Sequence, residues 1–272
     1  MQPHQPQPQP LSDLPPPPPP PTPPSQPPLK PSTQNRDLLQ HIEAYLSKRD
    51  GVDKLLKISR YTSKLLLSTS LIPSSHPVNH RLRSFESSVG LSRKAFRLGK
   101  FIQDVNALRR VPEFQDSKSK FILNLLCYGG EGVYYFIEQI VWISKSGLID
   151  PKHAKNLQKF SAWAEFIGYI GSISLKIGDL KCLNDQLACL SSTVEISTVR
   201  GENCDEERGK FRVLEAKCLL KKMSIVQDLA DAFMALSDIR DGKGRLLSSP
   251  LLLSGAGLLS ALISTHKNWA SC

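Results

Sequence analysis

The stretch RLRSFESSVGLSRKAFRLGKFIQDVNALRR, residues 81–110, carries apolar and cationic side chains at helical spacing. On a helical wheel of about 100° per residue, Arg93, Arg97 and Lys100 lie on one face and Lys94 lies near its boundary. The opposite face consists of apolar side chains: Leu91, Ala95, Leu98, Phe101, Ile102, Val105 and Leu108. Eight basic and two acidic residues give the stretch a net charge of +6. This pattern predicts one amphipathic helix from residue 81 to residue 110.

An apolar face opposite a cationic face is typical of a helix that lies in a membrane interface. Each basic residue near an anionic lipid surface contributes about 1 kcal/mol, and the rest of the binding comes from the apolar face. The predicted membrane-binding residues are Leu91, Arg93, Lys94, Arg97, Leu98, Lys100, Phe101, Ile102, Val105 and Leu108. A surface helix of a bundle with a solvated basic face has the same pattern, and the sequence leaves both interpretations open.

Most of the remaining chain also has helical periodicity, and alternating strand patterns are scarce. Apolar residues recur at helical spacing over residues 37–46, 51–71, 121–143, 160–177 and 211–239. The sequence therefore predicts an all-α fold. We expect a helical membrane-associated bundle with a basic amphipathic interfacial helix and one or more helices that span or dip into the membrane.

Residues 246–265 form the strongest candidate for a transmembrane helix. This stretch has no charged residue and is flanked by Arg245 and Lys267. Its length is about the 20 residues that a spanning helix needs. A buried core helix is the alternative. Residues 191–210 are rich in charge without an apolar period, which predicts a hydrophilic loop.

The N-terminal region has a composition that opposes folding. Its first 31 residues contain 16 of the 21 prolines, including the run from Pro15 to Pro21. Such a segment cannot bury enough apolar surface to offset its ordering entropy. We therefore expect a disordered proline-rich tail over residues 1–35 and a folded domain over residues 36–272. The start of the chain lacks a basic region followed by an apolar one, so we expect no secretory signal peptide.

Composition also bears on partners and chemistry. A net charge of +10 favours an anionic partner, either a lipid headgroup surface or a nucleic acid. No nucleic-acid motif is present, so we expect lipid and no nucleic acid. The six histidines and six cysteines do not occur at metal-ligand spacing, and the glycine-rich residues 129–132 and 241–244 lack phosphate-loop spacing. We therefore expect no enzyme activity, no catalytic, cofactor-binding or metal-binding residues, and no cofactor.

Two blocks of sequence resemble the peroxin-11 family. The block YLSKRDGVDKLLKISRY, residues 45–61, is similar to the family's N-terminal signature. The block SFESSVGLSRKAFRLGK, residues 84–100, is similar to its amphipathic helix. Three further stretches resemble plant members of the family: residues 128–142, 146–180 and 228–244. The whole match covers residues 36–272.

The resemblance implies an integral protein of the peroxisomal membrane that elongates and proliferates peroxisomes. It also implies self-association, termini that face the cytosol, and recruitment of a fission adaptor and a dynamin-related GTPase. Shallow insertion of the apolar face would supply the curvature. The alternative is a peroxisomal pore or metabolite channel, with Glu131, Glu138 and Glu165 as its polar lining. A soluble helical adaptor is a third possibility.

Overall fold

The protein is helical throughout the part that the structure describes. A computed structural model describes residues 37–69, 71–73, 75–111, 118–150, 152, 154–200, 205–240, 247 and 249–272, and these contain no strand. The predicted all-α fold is therefore confirmed, whereas the proline-rich residues 1–35 lie outside the described residues. The α-helices are α1 Leu38–Ser47, α2 Arg49–Ser68, α3 Pro77–Phe96, α4 Lys100–Arg109, α5 Lys118–Asn124, α6 Gly130–Lys145, α7 Ala154–Val199, α8 Asp205–Ile239 and α9 Pro250–Ala270.

The predicted helix over residues 81–110 is interrupted. Helix α3 begins at Pro77, whose fixed φ suits the first position of a helix, and the backbone N–H of Val78 donates to Nδ1 of His76. Helix α3 ends at Phe96, and Gly99 then adopts a left-handed φ of 72° before α4 begins at Lys100. Glycine takes this conformation at little cost. The prediction of one continuous helix is wrong, and Gly99 is the residue that permits the break.

The predicted hydrophilic loop at residues 191–210 is largely helical. Helix α7 continues to Val199, and α8 begins at Asp205. Three acidic residues lie in the first turn of α8, where their negative charge interacts favourably with the positive end of the helix dipole. Glu206 also pairs with Lys210 one turn later, at 2.7 Å. For the described residues 191–200 and 205–210 the loop prediction is wrong, because the charged residues there lie on solvated helix surfaces.

The predicted transmembrane helix corresponds largely to helix α9. Helix α9 begins at Pro250, where the side chain of Ser249 caps it. In the described portion of the chain, no helix has both the length and the apolar character needed to cross a membrane. The predicted span over residues 246–265 is therefore not confirmed. Serines such as Ser254 and Ser260 lower its hydropathy, and both are fully buried inside the protein.

The helices pack in a chain of neighbours that surrounds a common interior. Helix α2 contacts α3 and α9, α8 contacts α7 and α9, and α6 contacts α4 and α7. A π-helical turn, Leu125–Gly129, joins α5 to α6. Helix α7 approaches this region at Gly171, where an added Cβ would lie 2.6 Å from the backbone N of Cys127. The absence of a side chain therefore permits this close helix contact.

We predict that Gly171→Ala destabilises the protein although alanine favours helices. The new methyl group would overlap the backbone near Cys127, and such overpacking costs about 1–3 kcal/mol. Gly178→Ala is the matched control on the same helix, because a Cβ there meets no atom within 4 Å. Thermal unfolding of the purified proteins should show a lower midpoint for the first variant and no loss for the second. Equal midpoints would contradict the close contact.

Candidate functional site

The described helices bury several charged side chains beside their apolar core, and they leave many large apolar side chains exposed. Asp53, Lys57, Arg93, Glu138 and Asp231 are all buried. Large aliphatic and aromatic side chains are exposed on most of the helices. Burial of a charge is costly unless a partner compensates it. The interior therefore depends on ion pairs between helices.

The central ion pair joins α2 to α3. Asp53 accepts a hydrogen bond from Nε of Arg93, with 3.0 Å between Nε and Oδ1, and Nε of Arg97 lies 3.5 Å from the same oxygen. Burial acts to raise the pKa of Asp53, but the guanidinium groups of Arg97 and Arg93 hold that pKa well below its usual range. Asp53 is therefore ionised at neutral pH and neutralises part of the charge on α3.

A second ion pair joins α2 to α8 and α9. Nζ of Lys57 donates to Oδ1 of Asp231 at 2.9 Å and to Oγ of Ser260 at 2.6 Å. Further along α8, Asp228 accepts hydrogen bonds from Ser172 and Lys176 of α7. These contacts connect α2, α7, α8 and α9 through polar groups. These pairs join residues far apart in the sequence, and the one local signal is that Asp53 and Lys57 lie one turn apart on α2.

The basic residues predicted to contact headgroups face this interior instead. Lys94 donates to Glu138 of α6, and Nη1 of Arg97 donates to the hydroxyl of Tyr134 at 2.9 Å. Arg93 is only 4 % exposed. Nζ of Lys100 lies 4.9 Å from the centre of the Tyr135 ring. Because their partners lie on α2 and α6, these cations are turned inward in this structure, and their predicted contact with lipid stays a prediction.

The apolar residues of the predicted site divide into two groups. Leu98, Ile102 and Val105 are 50–53 % exposed and form what we call the outer face of α4 and its preceding turn. The other three are less exposed: Leu91 lines the interior cavity, Phe101 packs edge-on against Phe136, and Leu108 is half-buried. The structure therefore places three of the predicted apolar residues at the surface together.

The interior contains a cavity of about 1670 Å³. Twelve basic and eight acidic side chains line it. Among them are Glu131, Glu138 and Glu165, the residues proposed above as the polar lining of a pore. Burial, followed by the charge of Asp231, raises the pKa of Glu165 to about 8. Tyr169 donates a hydrogen bond to this carboxyl at 3.1 Å. The lining thus has a cationic excess at neutral pH.

Over the described residues, the structure contains no group of three or more His, Cys, Asp or Glu side chains that could hold a metal ion. The conspicuous features of this part of the chain are therefore the charged cavity and the outer face.

The fold and the site define a helical-bundle protein with a charged interior and an apolar outer surface. The chain belongs to the family described as peroxisomal biogenesis factor 11 (PEX11), whose model matches residues 39–269. It is 60 % identical to peroxisomal membrane protein 11A of Arabidopsis thaliana over 88 % of this chain and 95 % of the relative. It is 55 % identical to peroxisomal membrane protein 11-3 of Oryza sativa subsp. japonica, over 87 % and 91 %. No solved structure matches the chain.

We predict that Asp53→Asn strongly destabilises the fold. The change leaves Arg93 and Arg97 buried without their shared carboxylate, and breaking a buried ion pair in this way costs about 3–5 kcal/mol. Asp50→Asn is the control, because Asp50 lies on the same helix but is exposed and sits 3.7 Å from Lys100. Its loss should cost less than about 1 kcal/mol. Denaturant unfolding measures both, and equal effects would show that the buried pair is unimportant.

Proposed function

We propose that this chain resides at the peroxisomal membrane and remodels it, so that peroxisomes elongate, proliferate and divide. Membership of the PEX11 family and the names of its relatives as peroxisomal membrane proteins support the location. The observation that carries the mechanism is the outer face, where Leu98, Ile102 and Val105 project from the bundle together. These side chains enter the lipid interface as a shallow wedge.

Insertion of the outer face into the interface has a favourable free energy of suitable size for this role. Full burial of one aliphatic side chain is worth about 1.5–3 kcal/mol, and half-immersed side chains contribute less. Three such residues on one chain give weak and reversible insertion. Headgroup attraction comes from the exposed Arg109 and Arg110 that follow the outer face, since Arg93, Lys94 and Arg97 are engaged in the interior.

Remodelling requires many wedges on the same membrane. We include self-association in the proposal because repeated insertion into one leaflet expands that leaflet and favours curvature. A fission adaptor and a dynamin-related GTPase then divide the elongated organelle, and both termini of this chain face the cytosol. Anionic phospholipid headgroups are the direct partner of each wedge.

The test is a change confined to the outer face. Leu98→Ser, Ile102→Ser and Val105→Ser together remove most of the interfacial burial and leave the charge unchanged. The triple variant, overexpressed as the full chain, should reach peroxisomes but leave their length close to that of untransformed cells. Fluorescence microscopy of peroxisome length at matched expression measures the effect.

A matched control keeps this experiment specific. Ile196, Val199 and Val213 are also exposed but lie on α7 and α8, away from the outer face. Their replacement by Ser should leave elongation at the level of the unmodified chain. Full elongation by the outer-face variant would rule out the wedge.

A second function is favoured by the charged cavity. The eight acidic and twelve basic side chains that line it resemble the interior of a conduit for polar solutes more than the core of a structural bundle. Conductance of the purified chain in planar bilayers separates the two functions, because a wedge need not conduct. A conduit with this lining would prefer anions to cations.

A further inference from the structure

One part of the cavity concentrates positive charge beyond what its carboxylates neutralise. We call this part the cationic cluster, and it consists of Lys54, Arg93, Arg97 and Lys100. Arg93 and Arg97 share the single carboxylate of Asp53, and Nζ of Lys54 lies 3.8 Å from the other oxygen of that group. Three cations therefore share one buried anion, and Lys100 is the fourth cation of the cluster.

The fourth cation, Lys100, has an aromatic ring and one solvated carboxylate as partners, and its Nζ lies 4.9 Å from the centre of the Tyr135 ring. Nζ of Lys100 lies 3.7 Å from Asp50, whose side chain is half-exposed and solvated. The pKa of Lys54 reflects this local excess of positive charge. Burial and the charge of Lys100 lower this pKa to about 7. Among the described residues, the ion pairs of the cluster thus leave net positive charge in a buried setting.

The cluster also has a buried donor that is not used. Nη2 of Arg93 is inaccessible to solvent and makes no hydrogen bond within the described structure. The side chain of Arg93 is more than nine-tenths buried and lines the cavity. A guanidinium group has a planar fork of donors that matches the oxygens of phosphate or carboxylate. The protein partners of Arg93 therefore leave part of its hydrogen-bonding capacity unsatisfied.

The size of the cavity constrains the ligand. At about 1670 Å³, it exceeds the roughly 300–1,000 Å³ of ordinary small-molecule sites. It can therefore hold a phosphate together with the organic group to which it is attached. The carboxylate of Asp53 accepts only part of the hydrogen bonds that the cluster can donate. A phosphate would accept several more charge-assisted hydrogen bonds from the same N–H groups.

We propose that the cationic cluster of Lys54, Arg93, Arg97 and Lys100 binds the phosphate group of a phosphate-bearing molecule inside the cavity. The ligand is anionic at one end and is held by two guanidinium and two ammonium groups. Asp53 orients the two arginines and is not displaced. This binding activity goes beyond membrane remodelling and does not require the outer face, so either activity can fail without the other.

The test uses calorimetric titration of the full-length protein in detergent with inorganic pyrophosphate, in a chloride buffer. We expect saturable binding to the unmodified chain. Lys54→Gln combined with Lys100→Gln removes two of the four cations without leaving Asp53 unpaired, and should weaken the affinity at least tenfold. No saturable heat from the unmodified chain would overturn the proposal.

The control is Lys181→Gln combined with Lys210→Gln. Both lysines are exposed and lie outside the cavity, so the net charge changes equally while the cluster stays intact. This variant should bind pyrophosphate as the unmodified chain does. Equal affinities for the two double variants would show nonspecific attraction and would also overturn the proposal.

Circular dichroism establishes that each variant is folded. If the cluster variant is unfolded, Lys100→Gln alone replaces it, with several-fold weaker binding expected and unchanged affinity counting against the site.

The same chemistry could come from a soluble phosphate ester or from a phospholipid headgroup. Repeating the titration in nanodiscs distinguishes the two sources. If phosphatidic acid discs abolish the pyrophosphate signal and phosphatidylcholine discs preserve it, the cluster takes a lipid headgroup. If both discs preserve the signal, the cluster takes the soluble molecule.

Discussion

Buried charge must be paired, and this constraint determines how the helices of the described region fit together. Asp53 links α2 to α3 through Arg93, and Lys57 links α2 to α8 and α9 through Asp231 and Ser260. Replacing one partner leaves the other charged in a medium that solvates it poorly. The pairing therefore fixes which face of each helix points inward, and small glycine contacts such as that at Gly171 fix how closely the helices approach.

The inward position of the charges has a direct consequence for the surface. Arg93 and Arg97 point to Asp53, whereas Leu98, Ile102 and Val105, on α4 and its preceding turn, are exposed. The cations are thus engaged in the interior, while these apolar residues are exposed at the surface. Exposed aliphatic side chains grouped in this way commonly mark an interaction surface. The proposed wedge and the proposed phosphate site are therefore two sides of one amphipathic segment.

Much of the fold could be predicted from the sequence, because helical periodicity is local. The all-α class follows from such signals. The break at Gly99 had a signal in its glycine, but apolar periodicity continues across it. The direction of the basic face could not be predicted, because a helical wheel separates two faces without saying which one meets Asp53, 40 residues away. Lys57 and Asp231 are 174 residues apart, so their pairing also required the tertiary structure.

The central claim is that the outer face meets lipid while the charged face stays inside. A photoreactive benzoylphenylalanine placed singly at Ile102 or at Leu91, which is half-buried and lines the cavity from α3, tests it in the full chain on isolated peroxisomes. Mass spectrometry after illumination identifies phospholipid adducts. Our account predicts lipid adducts from the probe at Ile102 and few or none from the probe at Leu91. Equal lipid labelling at both positions, or labelling at Leu91 alone, would contradict it.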